Sequence, residues 1–227
     1  MSLNANTAAG GGTKFDQMEA GTYPTRLVAI VDLGVQTQRP FGDQVKDPVQ
    51  EIALTYEFVD EFMKDEDGQD QTDKPRWLTE TMPFYNLTAD RAKSTARYNA
   101  LDPTGAVDGD WLKLLGAPCM VTVVLNPNKK SPGSFWENIA AVMSMREKDA
   151  KNCAPLVNAA RYFDFDAPDL EMFLALPKFL QKKIKEGLTY EGSTLAKLLD
   201  EGTGPAKTEA DDMGCNTAPS NEDGNPY

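Results

Sequence analysis

The chain contains no histidine. A Ser-His-Asp triad, a Cys-His pair and an imidazole metal ligand are therefore all excluded. Cysteine is scarce: Cys119, Cys153 and Cys215 are odd in number, far apart and free of any C-x-x-C spacing. That pattern argues against a zinc site and against a disulfide framework, and it fits a reducing compartment. Cys119 lies in an apolar run and reads as a core thiol. No apolar stretch approaches the ~18–20 residues of a membrane span. The opening MSLNANTAAGGGTKF lacks the basic and apolar regions of a signal peptide. Its glycines have no preceding strand and no following Lys-Ser/Thr, so they do not make a phosphate loop. Residues 1–18 are expected to be a flexible leader.

Positive charge is also in short supply: the net charge is −12 over 227 residues. The excess is local. Residues 60–73, DEFMKDEDGQDQTD, carry seven acids and one lysine, and residues 200–227 carry the same numbers. The rest of the chain is neutral, so a basic groove remains compatible with the acidic total.

What is present is a series of strand patterns. GTYPTRLVAIVDLGVQ (21–36) reads as a long strand with Leu27, Ala29, Val31 and Leu33 on one face. VQEIALTYEFVD (49–60) alternates cleanly, Ile52, Leu54, Tyr56 and Phe58 against Glu51, Thr55 and Glu57. PRWLTETMPF (75–84) reads as a third strand. LTADRAKSTARYNAL (87–101) predicts a helix capped by Thr88 with Asp90 in its first turn, and DWLKLLG a short one capped by Asp110. APCMVTVVLN (117–126) has the composition of a strand buried on both faces, and SFWENIAAVMSM (134–145) reads as a fifth strand.

Five short strands with a helix between the third and fourth bury their edges best by closing into a small barrel plugged by that helix. The expected fold is therefore α+β, mainly β: a five-stranded oligonucleotide/oligosaccharide-binding (OB) barrel over residues 19–148. Residues 149–199 form a helical extension, in which Phe173, Leu176, Leu180 and Ile184 make an apolar stripe broken at Pro177. That stripe would pack on the barrel or on a second copy of the chain, giving a homo-oligomer. Residues 200–227 have the composition of a disordered acidic tail.

An OB barrel holds single strands on its exposed face and in the loops joining strands one to two and four to five. Those loops, 35–48 and 126–133, offer Arg39, Phe41 and Lys46, and Lys129 and Lys130. Lysine and arginine neutralise phosphates, while rings stack on bases whatever the sequence. The candidate rings are Phe41, Trp77, Tyr85 and Trp136. Each has a plainer reading: core rings for the tryptophans and a solvated turn for NPNKKSPG. Arg91, Lys93 and Arg97 read as solvated cations on a helix face.

At AGTYPTRLVAIVDLGVQTQ, ALTYEF, LLGAPCMVTVVLN and WENIAAVMSM the chain resembles a family of bacteriophage replication-module proteins. The resemblance covers roughly residues 19–146, and FDFDAPDLEMFLALPKFLQKKI also looks like that family. AAVMSM stands where the family has a proline-containing strand end. The family is similar to OB-fold single-stranded DNA-binding proteins, and it carries no catalytic residue over to this chain. The resemblance implies a non-catalytic protein of DNA replication or recombination in the host cytoplasm, needing no cofactor and no metal.

Single-strand binding proteins commonly end in a flexible acidic tail with a terminal aromatic, and the end of this chain is similar. Asp211, Asp212, Glu222, Asp223 and Tyr227 would then recruit replication or recombination partners, with Tyr227 replacing the usual Phe. Two rival functions stay open. One is an interaction or inhibitory protein whose acidic loop and tail mimic DNA. The other is a carboxylate-metal nuclease using Asp102, Asp108 and Asp110, residues that also read as turn and cap chemistry.

Overall fold

The computed structural model describes residues 17–40, 42–129, 131 and 133–202. It is an α+β arrangement of a six-stranded, mainly antiparallel sheet and five α-helices. β1 (Gly21–Gln36), β2 (Val49–Lys64) and β3 (Asp70–Pro83) form a meander. Helix α1 (Lys93–Leu101) and a 3-10 turn (Trp111–Leu114) lead to β4 (Pro118–Pro127) and β5 (Phe135–Ser144). Then come α2 (Glu147–Asn152), β6 (Arg161–Phe163), α3 (Leu170–Ala175), α4 (Lys178–Lys185) and α5 (Thr194–Gly202). The strand order is β3-β2-β1-β4-β5, with β6 pairing parallel to β1.

The sheet is not closed, contrary to the barrel expectation. Among the described residues no ladder joins the edges β3 and β5. Side chains span that gap instead: Arg76 of β3 donates to Glu137 of β5 at 2.9 Å. Glu137 also accepts from the Met18 N–H at 2.6 Å, and Gln17 donates to the Phe135 carbonyl. Residues 17 and 18, assigned by sequence to a leader, thus lie on β5, and Met18 is buried.

One core occupies the inner face. Ile52, Leu54, Tyr56 and Phe58 of β2 point into it together, as their alternation predicts. Cys119, Val121 and Val123 of β4 join them, with Tyr98 and Leu101 of α1. Burial pushes the Cys119 thiol up to about 12, in keeping with an inert core thiol. β4 is buried on this face only; Met120, Thr122 and Val124 remain half-exposed on the other.

The alternation expected in β1 fails at a bulge. Leu27 pairs with Tyr56 and Ala29 with Thr55, so Val28 is an extra residue and reverses the facing. Leu27 and Ile30 enter the first core, whereas Val31 and Leu33 enter a second. A further irregularity between Asp32 and Val35 contains Gly34 at φ +69°. A Cβ there would lie 2.6 Å from Thr189 Oγ1, so glycine is required both for the turn and for the close approach.

The second core covers the outer face of β1 and β2. It joins Val31, Leu33 and Ala53 to Phe163, Phe165, Phe173, Leu180, Ile184 and Leu195. The segment read as purely helical therefore contributes a strand, with Phe163 opposite Val31. Pro177 does interrupt the helices, and Gln181 Nε2 donates to the carbonyls of Leu174 and Leu176 left open at that break.

α1 begins at Lys93, and its N-cap position, Ala92, makes no side-chain cap bond. The expected Thr88 cap is absent because residues 87–92 turn before the helix starts; Asn86 Oδ1 accepts the Thr88 N–H. Asp110 does cap the 3-10 turn, accepting from Leu112 N at 3.0 Å.

Candidate nucleic-acid interface

The two loops expected to frame one channel lie at opposite ends of β1. Gln36 pairs with Val49, so loop 37–48 leaves the last residue of the strand. Gly21 pairs with Val123, so the β4–β5 turn lies beyond its first residue. Sixteen residues at about 3.3 Å each separate them by roughly 50 Å of strand. Arg39 and Lys46 are exposed on the first loop, which Gln38 Nε2 braces by donating to the Asp47 carbonyl at 2.7 Å. Lys129 is exposed on the second, where Asn128 N–H to Ser134 O (2.9 Å) closes the turn. Phe41, Lys130, Asp211, Asp212, Glu222, Asp223 and Tyr227 lie outside the described residues.

Trp77 of β3 stands opposite Glu57 of β2 on the outer face. Its indole N–H donates to Glu57 Oε2 at 3.0 Å. Glu57 is only 1% exposed and also accepts from Val157 N (2.7 Å), Asn158 N (3.3 Å) and Asn158 Nδ2 (2.7 Å). Four donors thus compensate the burial of one carboxylate. Upstream, Arg26 donates to the carbonyls of Cys153 and Ala154. Residues 153–158 form a strap tied to this face, and half-buried Trp77 shares Glu57 with it.

Glu57→Gln should cost about 1–3 kcal/mol, because an amide cannot accept all four bonds and turns donors toward donors. In a variant keeping Trp77 as the sole tryptophan, acrylamide quenching of its emission should rise. Unchanged quenching would show that the strap does not depend on Glu57.

On the face away from the first core, β4 and β5 and the first residues of β1 keep exposed or half-exposed side chains. Thr22 and Thr122 share a 2.9 Å hydroxyl contact there. Trp136, paired with Asn126, is half-buried on it, and Met143, paired with Met120, is 46% exposed. Lys129 and Trp136 belong to one hairpin, Lys129 in its turn and Trp136 opposite Asn126. Tyr85, 39% exposed, leaves the other end of the sheet, beyond Pro83 and its partner Glu51. With Ala89, Asp90, Arg91 and Ala92 it lines a cleft of about 520 Å³.

Charge is divided between the ends. β2 and β3 run on past the start of β1 into an acidic hairpin whose tip, residues 65–69, is exposed. Asp65 Oδ1 fixes the tip by accepting from Asp67 N and Gln69 N. Partial burial raises the Asp60 and Glu61 carboxyls above their ordinary values, and the Asp60 charge lifts Glu61 further.

Several polar residues have roles that sequence reading missed. Arg97, expected to be solvated, is buried and pairs with Glu80 through Nε (2.8 Å) and Nη2 (3.1 Å). Glu80 also receives Lys93 at 2.7 Å and the Tyr56 hydroxyl at 3.2 Å. Its signal was available: Glu80 falls on the inward phase of β3 between Leu78 and Met82, and an inward carboxylate demands a cation. Lys183 of α4 reaches back to Glu51 at 2.5 Å and to Thr81 Oγ1 at 3.3 Å, a pairing no local pattern reveals.

Of the aspartates considered for a metal, Asp102 and Asp110 serve the backbone. Asp102 accepts from Val107 N (3.0 Å) and Ala106 N (2.8 Å), and these bonds, Val107 foremost, hold its carboxyl below the usual range. Among the described residues no group of three or more His, Cys, Asp or Glu is placed to hold a metal ion. No helix of these residues is long and apolar enough to cross a membrane. Neither a protein-family model nor a curated protein matches the chain.

Proposed function

We propose that this protein binds single-stranded DNA without sequence preference and serves bacteriophage DNA replication or recombination. The observation that carries the reading is the strand order β3-β2-β1-β4-β5 with α1 inserted between β3 and β4. We read this as an OB-type barrel whose last seam is spanned by the Arg76–Glu137 pair rather than by a ladder. With the Trp77 indole engaged by Glu57, we place the binding surface on the face of β4 and β5 away from the first core. Trp136 offers a ring for base stacking, and Lys129 beside it a cation for phosphate. The protein acts by binding alone, and the acidic tail recruits partner proteins.

Fluorescence anisotropy with labelled oligo-dT tests this. Binding should weaken steeply with added salt. Trp136→Ala should remove a stacking contact of about 1–3 kcal/mol, weakening binding about 5- to 150-fold. Absence of binding at low salt would overturn the reading. One observation favours a second reading: the ordered acidic hairpin presents Asp65, Glu66 and Asp67 on an exposed turn. A protein acting as a DNA mimic through that hairpin would bind a basic partner and ignore oligonucleotides.

A further inference from the structure

Helix α4 has four lysines in eight residues. Lys183 is spent on Glu51 and Thr81. The other three, Lys178, Lys182 and Lys185, are exposed. Their spacing is i, i+4 and i+7, which places them within one narrow arc of a 3.6-residue helix. Leu180 and Ile184 occupy the opposite arc and are fully buried in the second core. The three lysines therefore leave one exposed arc of the helix, spanning about 10 Å of helix rise.

This row sits on a fixed support. The α4 backbone is tied to the end of β1: Gln36 Nε2 donates to the Lys183 carbonyl at 3.1 Å. Just past the helix, Leu188 N–H donates to the Val35 carbonyl at 2.8 Å, and Val35 N–H donates to Thr189 Oγ1 at 3.1 Å. The next residues of the chain after Gln36 are loop 37–48, with Arg39 and Lys46 exposed. Helix and loop thus adjoin at one end of the sheet, remote from the acidic hairpin at the other. Glu186 lies 3.9 Å from Lys182, which is 76% exposed, and the loop also carries exposed Asp43 and Asp47. The exposed Lys182–Glu186 pair contributes little and yields readily to a phosphate. The Lys185 ammonium stands 5.7 Å from the Phe173 ring centroid, at the edge of the second core.

We infer that the row Lys178–Lys182–Lys185, with Arg39 beyond the adjoining end of β1, binds the phosphodiester backbone of single-stranded DNA. This rests on the function proposed above and adds a second contact surface to it. The layer that covers the outer sheet face supplies cations in place of the face it hides. Single-stranded rather than duplex DNA fits because the row is short, and because Tyr85 exposes a ring beyond the same end of the sheet.

The test uses the full chain and labelled oligo-dT over a salt series. The triple variant Lys178→Gln, Lys182→Gln, Lys185→Gln removes three exposed charges and leaves Leu180 and Ile184 in place. Each phosphate contact on a single strand contributes about −0.7 to the slope of log affinity against log salt, so the slope should fall in magnitude by about two. Affinity near 50 mM salt should drop about tenfold or more. The matching triple Lys→Arg variant should restore both. If the wild-type chain binds and the Gln variant keeps its slope, the inference is overturned while the proposed function stands. If the wild-type chain does not bind oligo-dT at all, the proposed function itself fails. If the Gln substitutions weaken a duplex of equal length as much as oligo-dT, the assignment to single strands is overturned.

Discussion

Replacing Arg97 by methionine should lower the unfolding free energy by about 3–5 kcal/mol, read as a shift of the urea midpoint at constant slope. The loss has a specific origin. Glu80 is buried on the inner side of the sheet and receives both guanidinium bonds of Arg97. With Arg97 gone, Glu80 keeps Lys93, which is 44% exposed, and the Tyr56 hydroxyl. Neither replaces a buried bidentate partner, so a carboxylate is left under-compensated in a low-dielectric site. The penalty should lie mostly in that stranded charge. The double variant Glu80→Met with Arg97→Met should therefore recover much of the stability lost by Arg97→Met alone. A double variant no better than the single would show that the pair itself, and not the exposed cost of an unpaired acid, stabilises the fold.

Phe173→Ala should cost a further comparable amount, about 3–5 kcal/mol. Phe173 is fully buried, its ring centroid 5.8 Å from that of Phe163, with the Lys185 ammonium on it. Truncation leaves a cavity lined by residues from β6, α3 and α4 together with Val31 and Leu33 of β1. Because β1 belongs to both cores, the loss should appear in one cooperative transition, the same by far-ultraviolet circular dichroism and by tryptophan emission. Two separated transitions would mean that the C-terminal layer melts on its own.

The sequence was most legible where periodicity acts alone. The bounds of β1 could be read directly, and so could the inward row Ile52, Leu54, Tyr56 and Phe58. The helix between the third and fourth strands was visible, but its start was not, because the turn at 87–92 has the same polar composition as a first helical turn. The bulge at Val28 could not be seen, since one extra residue leaves an apolar run looking regular while reversing its facing. β6 is three residues long and takes its strand conformation from β1, so no local pattern announced it.

The candidate interface was less legible for a related reason. Residue type pointed to Arg39, Lys129, Trp77 and Trp136, but whether they share a surface depends on register and on what covers each face. Register puts the two loops at opposite ends of β1, and the Trp77 indole is engaged by Glu57, which residues 157–158 also bind. A glutamate in an outward strand position looks like a solubilising residue until the strap that binds it is known.

The dependence of the outer face of β1 on residues far down the chain shapes how the molecule is made. Val31 and Leu33 leave the ribosome early, whereas their cover from Phe163 to Leu195 follows about 130 to 160 residues later. At roughly 5–20 residues translated per second, that apolar surface waits on the order of 10–30 s for its lid. The nascent protein is thus most vulnerable to aggregation before its last helices emerge, and slowing translation over the final third should lower its soluble yield.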